Sequence, residues 1–128
     1  MTESRKYDLE QRLIRFATEI INIVKSISKD RVGSHLGQQL LRSGTAPALN
    51  YGEALSAESR RDFIHKLRIA LKELRESIVI LQLLINTSYL KQDSQIVREC
   101  NELIAIFVKS IQTAQQRDLN EKIVGSHR

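Results

Sequence analysis

The sequence predicts an all-α protein, an up-down-up-down antiparallel four-helix bundle. Three observations carry that prediction. Four stretches of apolar residues recur at steps of three and four, short polar breaks separate them, and turn residues are scarce. With 5 Gly and 1 Pro in 128 residues, the chain lacks the turn signals that many short strands would need. Its 41% hydrophobic and 27% charged residues fit a globular domain and not a disordered chain. One domain of this size buries most of an apolar face without help from a metal or a disulfide.

The first stripe is Leu9, Leu13, Phe16, Ala17, Ile20, Val24 and Ile27, with Asp8 as the expected cap and Gln11 as its capping-box partner. Residues 28–34 form the first break. The second helix is expected to open near Ser34 or His35 and to carry Leu36, Leu40 and Leu41. It then meets the small residues Ser43, Gly44, Thr45, Ala46, Ala48, Gly52 and Ala54 around Pro47. Gly and Pro inside a helix cost about 1 and about 3 kcal/mol relative to Ala. Close approach of a neighbouring helix would offset that cost, so a kinked but continuous helix is expected here.

A turn at residues 56–59 leads to the third helix, about 60–84, with its stripe at Phe63, Leu67, Ala70, Leu71, Leu74, Ile78 and Leu81. After a break at 86–93, capped by Asp93 or Ser94, the fourth stripe is Ile96, Cys100, Leu103, Phe107, Ile111 and Ala114. Periodicity fades near Arg117. The expected division is a four-helix bundle domain over residues 1–117 and a flexible C-terminal tail over 118–128.

Several large apolar residues fall off these stripes. Ile14 and Ile21 point roughly 120–140° from the first stripe, Ile69, Ile80 and Leu84 sit beside the third, and Ile106 lies opposite the fourth. They are either isolated surface hydrophobes or a seam for self-association. Asn50 and Glu53 lie together among the small residues of the second helix. Asn50 is expected to bond a carbonyl at the Pro47 irregularity, the alternative being a ligand contact.

Charge gives the functional lead. A net charge of +5 and a pI near 9.6 favour polyanionic partners. On the third helix Arg61, His65, Arg68, Lys72 and Arg75 follow steps of 4, 3, 4 and 3. They fall within roughly an 80° arc opposite the apolar stripe. Asp62, Glu73 and Glu76 flank this arc and do not enter it. A solvated face ordinarily mixes signs, and this one does not, so it suits a phosphate backbone. No aromatic residue interleaves with it, which points away from base stacking and toward backbone or shape recognition.

Catalytic signatures are missing. No Glu-x-x-His pair exists for a di-metal bundle site, and His35, His65 and His127 lack suitable neighbours. Cys100 sits on an apolar stripe, where a buried structural thiol is the ordinary outcome. No phosphate-binding glycine loop occurs. A non-enzyme without cofactor or metal is therefore expected. The polar start Met1–Glu10, the single cysteine and the lack of a long apolar run point to the cytoplasm and to no membrane contact.

A run of residues also resembles a known family. Arg42-Ser43-Gly44-Thr45, Pro47, Asn50-Tyr51, Glu53-Ala54, Ser59-Arg60, Asp62 to Leu67, Ile69 to Glu73 and Glu76 resemble the small bacterial four-helix bundle proteins encoded in intervening sequences of 23S ribosomal RNA genes. Tyr7-Asp8-Leu9 and Ala17 extend the resemblance, which runs from about Tyr7 to Arg117. Leu49 and Ser77-Ile78-Val79 depart from the family pattern. The resemblance implies a ring-like homopentamer with a positively charged surface. That family is in turn similar to the accessory protein of diversity-generating retroelements, which partners a reverse transcriptase and binds nucleic acid.

The combined expectation is an oligomeric, sequence-tolerant nucleic-acid binder, RNA ahead of DNA, using Arg61, His65, Arg68, Lys72 and Arg75. Ile14, Ile21, Gly44, Asn50 and Glu53 are the candidates for an oligomer or packing seam. The alternative is a protein-interaction scaffold or an accessory subunit of a nucleic-acid enzyme such as a reverse transcriptase.

Overall fold

Each apolar stripe belongs to one helix in the computed structural model: α1 (Glu3–Ser26), α2 (Arg31–Leu55), α3 (Arg60–Asn86) and α4 (Ser94–Ser126). The structure describes the backbone of residues 3–92 and 94–126 and the side chains of residues 8–92 and 95–125. The capping expected of Asp93 or Ser94 lies outside the described residues. Contacts between helices fix the directions. Gly44 faces Ile20 and Gly37 faces Val24, so α2 runs antiparallel to α1. Ser43 meets Ser77 while Glu53 meets Lys66, which sets α3 antiparallel to α2. Cys100 Sγ donates to Leu74 O at 3.3 Å and Arg60 reaches Glu121, which sets α4 antiparallel to α3.

The core contains most of the expected stripe residues, with Phe16, Phe107, Leu13, Ile20, Leu67, Leu74 and Leu103 among the largest fully buried. Tyr51 and Phe107 meet edge to face, 6.0 Å between centroids and 78° between planes, a favoured aromatic geometry. Ile80 and Leu84, expected beside the stripe, are buried instead. The reason is position: α3 packs on both α2 and α4, so its apolar face is wider than one stripe. Leu41, expected on the second stripe, is exposed.

The helix boundaries differ at three places. Asp8 does not cap α1; the helix already runs from Glu3, and Asp8 is an exposed residue within it. α2 opens at Arg31 and not at Ser34 or His35, because Asp30 caps it by accepting the Gly33 N–H at 2.8 Å. That hydrogen bond and another from Tyr89 hold the Asp30 carboxyl below its ordinary pKa. Gly33 looks like a turn residue in sequence but is helical. It is needed because a Cβ there would collide with the Ser28 carbonyl. Finally, α4 does not give way to a loose tail near residue 118: it stays helical through Ser126, with residues 119–125 exposed.

Helix α2 is continuous through Pro47, which is fully buried. The small residues admit α1 at short range. A methyl group on Gly44 would stand 2.6 Å from Ile20 Cγ2, closer than packing tolerates. Buried Ser43 and Ser77 face one another across the α2–α3 seam, with their hydroxyl oxygens 2.8 Å apart. Ser77 also lies 2.9 Å from Glu73 O and can give its proton to either acceptor. The departure from the family pattern at Ser77 thus has a local partner. Leu49, the other departure, is 68% exposed, so its size meets no obstacle. Two residues beyond the end of α3 at Asn86, Ser88 takes up the left-handed region at φ 66°. Tyr89 N donates to Leu84 O and Ser88 N to Ile85 O, which satisfies the last carbonyls.

Candidate nucleic-acid interface

Five side chains of α3, Arg61, His65, Arg68, Lys72 and Arg75, are exposed on the face turned away from the core. The helix fixes their alignment: from Arg61 to Arg75 they cover about 21 Å at the helical rise of about 1.5 Å per residue. None of the five makes an ion pair or a side-chain hydrogen bond among the described residues.

Their isolation is arranged from the neighbouring helix. Arg42 of α2 donates to Glu73 at 2.7 Å and to Glu76 at 2.5 Å, so both flanking carboxylates are held on the α2 side. The two carboxylates raise the Arg42 pKa further, Glu76 first. Glu73 is only 9% exposed. Lys66, an α3 cation that falls outside the arc, is bound to Glu53 of α2 at 2.8 Å. Asp62, the remaining acid near the arc, adds its field to Lys66. The outcome is a row of cations without a counter-charge, which is what phosphate neutralisation requires. Sequence periodicity finds the row but not Arg42, whose role depends on how α2 is rotated against α3. The Arg42 and Glu73/Glu76 positions are visible in sequence; their pairing is not.

The five seam candidates separate in the structure. Ile14 and Ile21 are exposed on α1, 44% and 36%, and Leu41 is exposed on α2. Gly44 is buried between α1 and α2 within the chain. Asn50 Nδ2 donates to Ala46 O at 3.0 Å, one turn back in its own helix. The carbonyl it engages is that of Ala46, directly before Pro47. Glu53 belongs to the Lys66 pair.

Cys100 is buried and its thiol is pushed up to about 12, chiefly by burial, so it is not a thiolate near neutral pH. Among the described residues no three His, Cys, Asp or Glu side chains come close enough to hold a metal ion. Among those residues, too, no helix is long and apolar enough to cross a membrane.

Among solved structures, the chain is similar to a Bacteroides thetaiotaomicron protein of unknown function from the S23 ribosomal protein family. The two share 34% identity with a TM-score of 0.78, over 84% of this chain and 97% of that one. No curated protein matches. Residues 5–109 match the family model for the 23S rRNA-intervening sequence protein, and this chain belongs to that family.

Proposed function

We propose that this chain is a non-catalytic, oligomeric nucleic-acid-binding protein of the cytoplasm that holds a phosphate backbone along the outer face of α3. The observation that carries the reading is the acid-free row Arg61, His65, Arg68, Lys72 and Arg75, with Glu73 and Glu76 withdrawn by Arg42. The family takes its name from 23S rRNA, which makes RNA the polymer to test ahead of DNA. Without aromatic residues on the arc, recognition runs through backbone and shape. A ring-like homopentamer would bring several arcs to one polymer and multiply weak contacts into avidity. Exposed Ile14 and Ile21 support a contact between copies.

The test is RNA binding by purified, nuclease-treated protein across a salt series, with particle mass recorded alongside. Four permanent cations on one arc give a slope of log K against log salt of about −3, steeper when several subunits engage. A salt-insensitive interaction, or none at low ionic strength, would overturn the reading.

A second reading draws on the same exposed apolar residues, Ile14, Ile21 and Leu41, which suit a protein partner equally well. The chain would then be a scaffold or an accessory subunit of a nucleic-acid enzyme such as a reverse transcriptase. Monomeric mass in solution together with saturable capture of such an enzyme would favour it.

A further inference from the structure

Helices α1 and α4 make far less contact than the other neighbouring pairs. Toward one end Arg12 of α1 ties them by reaching both Glu99 and Glu102. Beyond that tie, residues of all four helices surround a cavity of about 490 Å³. Its walls are apolar, with Leu55, Phe63, Leu67 and Phe107 among them, and three cations, Arg60, Lys109 and Arg117, also line it. No Asp or Glu is among its described lining residues. The volume falls within the range of small-molecule sites, and an apolar wall with a few placed charges is their usual chemistry.

We propose that this cavity binds an aliphatic carboxylate, with the hydrocarbon chain among the apolar walls and the carboxylate on Arg60, Lys109 and Arg117. Charge complementarity selects the head group. Lys109 and Arg117 are exposed and lack an acid partner among the described residues. Arg60 already draws a carboxylate: its Nη1 lies 2.6 Å from Glu121 Oε2. That buried nitrogen nevertheless has no acceptor in hydrogen-bonding geometry. A ligand carboxylate approaching from the cavity would supply a directed acceptor, since a planar carboxylate matches the guanidinium fork. The hydrocarbon chain would lie along the apolar walls and leave water. This site is separate from the α3 arc and does not rest on the nucleic-acid reading.

The experiment is titration of the full chain with decanoate, and with decyltrimethylammonium, which has the same chain and the opposite head charge. Calorimetry supplies the affinity and circular dichroism the helix content. Saturable binding of one decanoate per chain is the expected result. The cationic amphiphile and the K109E/R117E variant should each bind or be bound at least about tenfold more weakly. Both substituted side chains are exposed, so the variant should keep its helix content. The R68E/K72E variant should bind decanoate as the parent does. Absence of saturable decanoate binding, equal binding of the cationic amphiphile, or undiminished binding by a helical K109E/R117E protein would each overturn the proposal.

Discussion

The two flanks of α3 carry similar residues and put them to different uses. On the flank facing α2 side chains of α3 find partners: Glu73 and Glu76 hold Arg42 of α2, Lys66 holds Glu53, Ser77 meets Ser43, and Glu73 is nearly buried. On the outer arc five basic side chains have none among the described residues. The difference lies in the neighbour and not in the residue type. Exposed ion pairs add little to stability on average, but they cancel charge locally. Where cancellation is complete the surface offers a polyanion nothing. Where it is absent the field extends into solvent and steers association.

Charge reversal on the arc is the strongest way to break this contrast. R68E/K72E should weaken RNA binding by at least about a hundredfold near physiological salt, and flatten the salt slope by about two phosphates' worth. Thermal stability should stay close to that of the parent, because neither side chain has a partner to lose. Filter binding across salt, beside a melting curve, checks both halves. Unchanged binding would remove the arc from the site.

The facing flank should show the reverse signature. Ser77→Ala leaves the buried Ser43 hydroxyl with only its 3.4 Å contact to Leu40 O. The expected cost is about 1–2 kcal/mol, since an abandoned buried hydroxyl bears its desolvation penalty. The double variant S43A/S77A should cost less than the two single changes added together, because no unpaired hydroxyl remains. Urea unfolding of the four proteins in the cycle measures the coupling. RNA affinity should not move in any of them. A strictly additive cycle would mean that the two hydroxyls do not interact.

Much of this contrast is legible in the sequence, and the part that is not has a physical cause. Steps of three and four place both the core stripe and the basic arc on α3, because each is a property of one helix. Pairing between helices depends on rotation and register, which single-helix periodicity does not encode. For that reason Arg42 escapes notice, and Ile80 and Leu84 read as surface residues although α3 buries them between two neighbours. Gly33 misleads for a different reason. Glycine marks a turn when its backbone freedom is used, but here it is required by close approach of the Ser28 carbonyl within a helix. The α4 extension misleads because helicity there persists without an apolar stripe facing a core. The cavity lined by all four helices has no sequence signal at all, since it depends on how the helices sit against one another.

The two flanks should communicate through Arg42. Arg42→Ala frees Glu76 and leaves nearly buried Glu73 without its cation. The melting temperature should fall. RNA affinity should also fall, by about two- to fivefold at low salt, as two negative charges return beside the arc. The binding effect should disappear at high salt, because a repulsion across solvent is screened over about 10 Å at 0.1 M. A loss of affinity that persists at high salt would place Arg42 in direct contact with the polymer instead.

Lys66 supplies the smallest effect and the sharpest control. It shares α3 with the arc and has the same charge, yet it faces α2 and is bound by Glu53. Its pKa is raised by that hydrogen bond first and by the Glu53 charge second. Lys66→Gln removes one unit of positive charge from the chain, as Lys72→Gln does. If net charge governs binding, the two variants should weaken RNA affinity equally. If an uncompensated row governs it, Lys66→Gln should stay within about twofold of the parent while Lys72→Gln loses about one phosphate's worth of salt slope. The comparison keeps helix, charge change and residue type constant. Equal losses would show that the pairing on the α2 flank does not remove a cation from the surface the polymer sees.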